Sequence, residues 1–153
     1  MLPTDAGKTL LGVARAAISA ALGRHLAEPD DAAWQQQLGA SFVTLTQAGN
    51  LRGCIGSLEA RRSVRADVKA NALAAAFHDP RFPPLTAQEL DQTCIEVSLL
   101  SALTPLQYSN EAEALAQLHP GSDGLVLEYG QHRSTFLPQV WEQLPKPAAF
   151  LAQ

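Results

Sequence analysis

The residues of this chain best suited to chemistry lie in the segment Leu51-Arg52-Gly53-Cys54-Ile55-Gly56. Side chains alternate between the two faces of a β-strand, so Arg52 and Cys54 are predicted to share one face. A guanidinium beside a cysteine favours the thiolate, which is the nucleophilic form. We therefore take Cys54 as a candidate catalytic nucleophile and Arg52 as its electrostatic partner.

Three neighbours of the thiol, Gly53, Ile55 and Gly56, are candidate substrate-binding residues. A glycine within a strand often marks a bulge, or a close approach by a ligand or by another backbone. The alternative is that Cys54 is a small buried apolar residue and that the glycines serve only the hairpin. Cys94 has no comparable neighbours in sequence, and we expect it to be an inert free thiol.

Glu96 is a further candidate for the catalytic site, because it lies in an otherwise apolar strand on the opposite face from its apolar neighbours. A buried carboxylate needs a partner, and Arg52 or Arg81 could supply one. Such a pairing would place Glu96, Cys54 and a guanidinium around one pocket. A purely structural ion pair is the alternative.

The loop Asp79-Pro80-Arg81-Phe82-Pro83-Pro84 is expected to be rigid, because its prolines fix φ. Asp79, Arg81 and Phe82 are therefore candidate substrate-binding residues that the loop holds in defined directions. The alternative is a tight connection between helices, closed by a local pair of Asp79 and Arg81. His78 precedes the loop and would act as a base for Cys54 if the fold brought the two together.

The sequence predicts no metal site and no cofactor. The four histidines have neither i,i+4 spacing nor clustered carboxylates, and the two cysteines form no C-x-x-C pair. Walker, G-x-G-x-x-G and G-x-S-x-G motifs are absent from the sequence, so NTPase, dinucleotide-binding and hydrolase-elbow functions lack support.

The formal net charge of −4 argues against a dedicated nucleic-acid-binding protein. The stretch from Arg52 to Arg81 is nevertheless locally positive, with six basic residues against three acidic ones. It would either attract a small anion or a phosphate-bearing partner, or form a solvated helix face. No apolar run approaches the ~20 residues of a membrane span, and the first residues lack the layout of a secretion signal, so we expect a cytoplasmic protein.

Apolar periodicity, cap residues and turn residues predict the order of helices and strands. Trp34 and Leu38 are expected to anchor a polar connection to the core. Helices are expected at Leu10 to Leu26, from the Ser63 cap to about His78, at Ala87 to Asp91, at Asn110 to Leu118 and in a last turn through Trp141 and Leu144. The first of these is expected to face the core through Leu11, Ala14, Ile18, Ala21 and Leu22, and Thr86 and Glu89 match the capping-box pattern before the third. Strands are expected at Ser41 to Thr46, Leu51 to Leu58, Thr93 to Leu100, Leu125 to Tyr129 and His132 to Phe136. The turn residues Gln47-Ala48-Gly49-Asn50 predict a β-hairpin of the first two strands, and Gly130-Gln131 suggest a second hairpin of the last two. This order predicts one α+β domain over residues 1–153, with a largely antiparallel or mixed sheet.

Taken together, six blocks of the sequence resemble the AMMECR family, also called AmmeMemoRadiSam system protein A in bacteria and archaea. The segment around Cys54 is the most specific of them. The blocks follow the family order: Phe42-Val43-Thr44-Leu45, Leu51-Arg52-Gly53-Cys54-Ile55-Gly56, Asp79-Pro80-Arg81-Phe82-Pro83-Pro84-Leu85-Thr86 with Glu89-Leu90, Ile95-Glu96-Val97-Ser98, Asp123-Gly124-Leu125 and Thr135-Phe136-Leu137-Pro138-Gln139-Val140-Trp141.

The resemblance implies an α+β fold with a larger and a smaller part, and a cleft lined by the Cys54 segment and the Asp79 to Pro84 loop. It also implies partners, because bacterial relatives are encoded beside a Memo-like protein and a radical SAM enzyme. Family members usually continue into a basic tail, whereas this sequence ends at Gln153. A tail that closed the cleft or bound substrate would make this version incomplete or divergent.

Two functions are compatible with these features. The first is an enzyme or enzyme component that uses the Cys54 thiol on a small anionic substrate. The second is a non-catalytic module that binds the Memo-like protein or the radical SAM enzyme, with the Cys54 segment shaping the interface. Neither a membrane nor a nucleic acid is an expected partner.

Overall fold

The computed structural model describes residues 2–101, 105–119, 125–129 and 131–136. The chain falls into two compact units, Met1–Ala102 and Leu103–Gln153. Every strand pairing in the described residues is antiparallel, and helices accompany the strands, so the fold is α+β as predicted. A larger and a smaller unit agree with the two-part architecture that the resemblance implies. The single domain over residues 1–153 stays a prediction.

The larger unit is built around strand β1 (Leu38–Gln47). Strand β2 (Asn50–Gly56) pairs with one edge of β1 and strand β4 (Cys94–Leu100) with the other, while β3 (Arg62–Ser63) pairs with the first two residues of β1. The turn between β1 and β2 is Ala48-Gly49, with φ values of 49° and 80°. Two positive φ angles give the turn a twist that matches the strands of a tight hairpin, so the predicted hairpin is confirmed.

Helices α1 (Ala6–Ala21) and α2 (Val64–Phe77) pack on one face of this sheet. Val43 and Leu45 of β1 are fully buried beneath them, and Ile95, Val97 and Leu99 of β4 pack against the same core, as the sequence predicts. Because side chains alternate along a strand, Phe42, Thr44 and Thr46 lie on the opposite face, which we call the outer face. The residues that α1 and α2 contribute to this core are Leu10, Val13, Ala14, Ile18, Val64, Val68, Ala72, Ala75 and Ala76.

A buried polar network fixes α2 against β1. The carboxylate of Asp67 accepts hydrogen bonds from Ser41 N at 2.7 Å, Ser41 Oγ at 2.6 Å and Asn71 Nδ2 at 3.0 Å. Arg62 donates to the same carboxylate from the surface, at 2.8 Å. A buried carboxylate is tolerated when hydrogen bonds and a cation replace its water. The network therefore sets the position of α2, and with it that of the loop that follows the helix.

The caps of α2 and α3 (Ala87–Leu90) form as predicted. Ser63 Oγ accepts a hydrogen bond from Ala66 N at 3.2 Å, and α2 ends at Phe77 before the loop prolines. Thr86 and Glu89 form the reciprocal capping box at the start of α3. The two helices thus begin where short polar side chains satisfy free backbone N–H groups.

The bounds of α1 and two core assignments differ from the sequence prediction. The helix begins four residues earlier than predicted. It also ends five residues earlier, because Gly23 takes a left-handed φ of 78° after the C-cap residue Leu22. The buried stripe runs through Leu10, while Leu11 is exposed. Leu38 is 68% exposed at the start of β1, so the prediction that it anchors to the core is wrong. Trp34, in the 3-10 helix Ala33–Gln36, does pack against the core.

The smaller unit contains helix α4 (Glu111–Ala116) and a hairpin of β5 (Leu125–Tyr129) and β6 (His132–Phe136). Asn110 caps α4 by accepting from the backbone N–H of Glu113 at 2.9 Å. Both elements confirm the prediction, whereas the last helical turn predicted through Trp141 and Leu144 lies outside the described residues. Among the helices described, none is long and apolar enough to cross a membrane.

Candidate functional site

Three strands bring Cys54, Thr44 and Glu96 into one row on the outer face. Thr44 lies opposite Cys54 on β2 and opposite Glu96 on β4. The Cys54 thiol is half-buried, and its sulfur lies 3.3 Å from Thr44 Oγ1, where either atom can donate a hydrogen bond. Glu96 is exposed rather than buried. The structure therefore places Cys54 and Glu96 on one surface, on either side of a threonine.

A bulge in β2 corrects the prediction for Arg52. Leu51 lies opposite Thr46 and Gly53 lies opposite Leu45, so Arg52 is an extra residue without a partner on β1. A bulge interrupts the alternation of side chains between the two faces, and the argument that joined Arg52 to Cys54 depended on that alternation. The Arg52 guanidinium binds Glu89 and not the thiol.

The ion pair between Arg52 and Glu89 is well buried and bidentate. Arg52 is 8% exposed, and its Nε and Nη2 donate to the Glu89 carboxylate at 2.8 and 3.2 Å. Gln47 Nε2 donates to the same carboxylate at 3.1 Å. The hydrogen bond from Arg52, assisted by that from Gln47, lowers the pKa of Glu89 from 4.5 to about 2, although burial opposes the shift. Glu89 is therefore ionised at neutral pH.

Asp79 and Arg81 both form hydrogen bonds with the backbone of Cys54. Asp79 Oδ2 accepts a hydrogen bond from Cys54 N at 3.0 Å, and Arg81 Nη2 donates to Cys54 O at 3.3 Å. Arg81 also donates to Asp79 through its backbone N–H, Nε and Nη2, at 3.1, 3.0 and 2.7 Å. The predicted local pair of Asp79 and Arg81 thus forms, and it also reaches the Cys54 segment.

The electrostatics of this pair follow from its geometry. Asp79 is almost fully buried, while the Arg81 side chain is 54% exposed. The hydrogen bonds from Arg81, with a smaller contribution from the backbone of Cys54, hold the pKa of Asp79 well below its usual range. In return, Asp79 raises the pKa of Arg81. A permanently charged pair therefore fixes the backbone of the cysteine and exposes part of a cation beside it.

The Phe82 ring contacts both arginines of the site. The centre of its ring is 5.9 Å from Cζ of Arg52 and 5.5 Å from Cζ of Arg81, distances at which a cation and an aromatic face attract. The ring is half-buried. Phe82 therefore connects the Arg52–Glu89 pair to the Asp79–Arg81 pair that holds Cys54.

Close packing surrounds the other predicted substrate-binding residues of the Cys54 segment, whose binding role stays a prediction. A Cβ added to Gly53 would collide with the carbonyl oxygen of Ala75, so this glycine allows β2 to touch the backbone of α2. A Cβ added to Gly56 would collide with the ring of Phe42 on the outer face. Ile55 packs against the core on the helical side. Of the Cys54 segment, only the cysteine itself presents a reactive group on the outer face.

The locally positive stretch is neutralised by carboxylates. Arg61 pairs with Glu59, and Glu28 pairs with both Arg65 and Lys69, which together lower its pKa, Lys69 having the larger effect. Partners of the remaining cations are Asp67 for Arg62, Glu89 for Arg52 and Asp79 for Arg81. Every basic residue between 52 and 81 therefore has an acidic partner, and the stretch is not a free cationic patch.

The remaining histidine and cysteine candidates lie apart from the thiol. His78 is exposed at the end of α2, and no hydrogen bond joins it to Cys54 in the described structure. Cys94 is exposed and free. The described residues contain no group of three or more His, Cys, Asp or Glu side chains that could hold a metal ion.

Sequence reasoning missed Thr44 and Glu89 as parts of the site. Glu89 was assigned only the capping of α3, and nothing in its spacing indicated that it also binds Arg52. Thr44 lies in the alternating pattern of β1, which predicts its face but not its neighbour. The strand register, known only from the structure, identifies the residue beside the thiol.

The fold and site define an α+β protein with an antiparallel sheet, helices on one face and a cysteine-centred polar site. A family model, AMMECR1, matches residues 11–153. A protein from Methanothermobacter thermautotrophicus is 41% identical over 91% of this chain and 74% of its own length. A relative from Sulfurisphaera tokodaii is 39% identical, again over 91% of this chain, which spans 65% of that relative's length.

A solved structure with a fold similar to that of this chain is the crystal structure of the uncharacterized protein PH0010 from Pyrococcus horikoshii. It is 31% identical in sequence, has a TM-score of 0.76, and matches over 92% of this chain and 72% of its own. These similarities confirm the resemblance seen in the sequence blocks. The chain belongs to the AMMECR1 family.

Proposed function

We propose that this protein acts through the Cys54 thiol on a small anionic substrate, as an enzyme or as a component of one. The observation that carries the proposal is the placement of Cys54. Its thiol is half-buried on the outer face, its backbone is held by a charged pair, and the exposed part of Arg81 lies beside it. A fixed, accessible thiol next to a cation is the environment in which cysteines react.

Thr44 and Glu96 complete the proposed site. Thr44 Oγ1 is within hydrogen-bond distance of the sulfur and serves to orient it. Glu96 lies in the same row, on the strand beyond Thr44, and is exposed. Its carboxylate is the proposed acceptor of a proton from a bound molecule. Arg52 is a positioning residue here, because it holds Glu89 and contacts Phe82 rather than the thiol.

A cytoplasmic location and a pairing with a Memo-like protein and a radical SAM enzyme belong to the same proposal. The support for these two partners is the family resemblance and the gene neighbourhood that it implies. Association in a genome favours a shared pathway, so a product of the radical SAM enzyme is a reasonable source of the anionic substrate.

Selective alkylation tests the thiol hypothesis. Cys54→Ser and Cys94→Ser each leave one thiol, and iodoacetamide is added to each variant at pH 6, with mass spectrometry following the rate. Exposure alone would make Cys94 react faster, since Cys54 is half-buried and Cys94 is exposed. We expect Cys54 to react faster nevertheless. A slower reaction at Cys54 would show that the thiol is not activated and would remove the basis of the proposal.

A non-catalytic binding module is the second candidate. The favouring observation is that polar groups around Cys54 satisfy one another, and no histidine in the described residues hydrogen-bonds the thiol. Cys54→Ser would then leave binding of a Memo-like protein from the same genome intact, while Arg61→Glu would weaken it. Arg61 is the suitable site for charge reversal, because its side chain is 81% exposed, whereas Arg62 and Arg65 bind buried or part-buried groups. Loss of binding in Cys54→Ser alone would contradict the module hypothesis.

A further inference from the structure

The guanidinium of Arg52 carries an unsatisfied donor. Arg52 is more than nine-tenths buried, and its Nη1 has no hydrogen-bond acceptor within the described part of the chain. A buried polar atom without a partner costs free energy, so such atoms are rare and call for an explanation. A ligand that is absent from the structure is one such explanation.

Arg81 has the same arrangement as Arg52 and also contacts the Phe82 ring. Arg52 uses Nε and Nη2 to bind Glu89, and Arg81 uses Nε and Nη2 to bind Asp79. Each guanidinium therefore has its Nη1 left over, and both groups lie within 6 Å of the centre of the Phe82 ring. The two carboxylates fix the orientation of the guanidiniums, so the remaining donors are held in place before any ligand arrives.

We propose that Nη1 of Arg52 and Nη1 of Arg81 together bind a small oxyanion beside Phe82, and that the Phe82 ring turns aside to admit it. The shared chemistry is that of a carboxylate or a phosphate, which planar N–H donors recognise. This inference deepens the proposed function by assigning the anionic part of the substrate to specific atoms. It depends on that function only for its link to Cys54.

The charge balance limits the strength of such a site. Two guanidiniums and two ionised carboxylates sum to zero, so attraction relies on directed N–H donors more than on net charge. Turning the aromatic ring away from Arg52 also breaks the cation–π contact between them, which opposes binding. We expect binding of an isolated anion in roughly the millimolar range.

The competing explanation is that the Phe82 ring itself is the acceptor for Arg52 Nη1. An N–H group directed at an aromatic face forms a weak hydrogen bond. The two explanations predict opposite effects of removing the ring. If the ring covers an anion site, removal strengthens anion binding; if the ring is the acceptor, removal only destabilises the fold.

Calorimetric titration distinguishes these explanations, with inorganic phosphate and acetate as probes and sodium chloride holding ionic strength constant. We expect Phe82→Ala to tighten binding several-fold, and Phe82→Leu, which keeps most of the apolar volume, to tighten it less. Arg81→Gln should weaken binding by about tenfold, as expected for losing a charged hydrogen bond. Arg24→Gln is the matched control, because Arg24 is a similarly exposed arginine paired with Asp91, and it should bind like the wild type. A preference for one probe identifies the oxyanion class.

Any of three results would overturn the inference. Neither probe binds, or Arg81→Gln and Arg24→Gln weaken probe binding equally, or neither Phe82 variant tightens it. Cys54→Ser separates the inference from the proposed function, because it should bind the probe like the wild type. Anion binding together with slow alkylation of Cys54 would retain the anion site and reject the thiol function. Fast alkylation without anion binding would do the reverse.

Discussion

Replacing Glu89 with glutamine removes one charge from the buried pair with Arg52 while keeping the side-chain volume. The pKa of Glu89 falls from 4.5 to about 2 on folding, chiefly because Arg52 donates to it. A shift of this size corresponds to about 3 kcal/mol of stability at neutral pH. Because the Glu89 side chain is 31% exposed, solvent screening reduces the value, and we expect a loss of about 2 kcal/mol.

The pH dependence of this loss follows from the direction of the shift. Glu89 has a lower pKa in the folded state, so its stabilising contribution is fully present above pH 4.5. The contribution is lost as the pH falls from 4.5 through about 2, where the folded protein also takes up the proton. The wild type and Glu89→Gln should therefore differ most at pH 7 and converge towards pH 2.

Urea unfolding followed by tryptophan fluorescence measures the difference. In a Trp141→Phe background the signal comes from Trp34, which packs on the core of the larger unit. A loss of about 2 kcal/mol lowers the urea midpoint by about 1 M. Asp91→Asn serves as the control, since it breaks the exposed pair with Arg24 and should cost less than about 1 kcal/mol. Equal midpoints for wild type and Glu89→Gln at pH 7, or a difference that persists unchanged at pH 2, would refute the reasoning.

Four further substitutions test the fold by the same urea measurement. Gly53→Ala should destabilise the fold by about 3 kcal/mol, because the new Cβ collides with backbone in α2. Gly7→Ala should stabilise it by about 1 kcal/mol, because nothing lies within 4 Å of the new Cβ and alanine favours a helix. Similar effects at both sites would contradict the packing argument. Ser63→Ala removes the cap of α2 and should cost about 1 kcal/mol, and an unchanged midpoint would show that the cap is dispensable. Ala48→Asn should stabilise by about 0.5 kcal/mol, because asparagine tolerates the left-handed φ that precedes Gly49; destabilisation would argue against this turn geometry.

Much of the fold was predictable because its signals are local. The Thr86 capping box, the Ser63 cap and the turn residues between β1 and β2 each act over four residues or fewer, and each forms as predicted. Leu11 shows the limit of periodicity. In a helix rich in alanine and leucine, two neighbouring stripes are similarly apolar, and only packing against the sheet selects the one through Leu10.

Most residues of the candidate site were predictable from the sequence, but which of them bind one another was not. The family resemblance implied that the Cys54 segment and the Asp79 to Pro84 loop line one cleft, and the structure joins Cys54 to Asp79 and Arg81 through two hydrogen bonds. It did not predict the bulge at Arg52, because one extra residue in a strand leaves no mark beyond a nearby glycine. That single residue changes which carboxylate the arginine meets, and the partner lies 37 positions away in sequence.

The hydrogen bonds that Asp79 and Arg81 form with the backbone of Cys54 also affect whether β2 can pair with a strand of another molecule. Among the described strands β2 pairs only with β1, so its other side is a sheet edge. Free N–H and C=O groups on such an edge can recruit a strand from another molecule, which is how fibrils and swapped dimers begin. At Cys54 both groups are already occupied by side chains of the same chain. The residues that present the thiol thus also protect the strand that carries it from adding a neighbour.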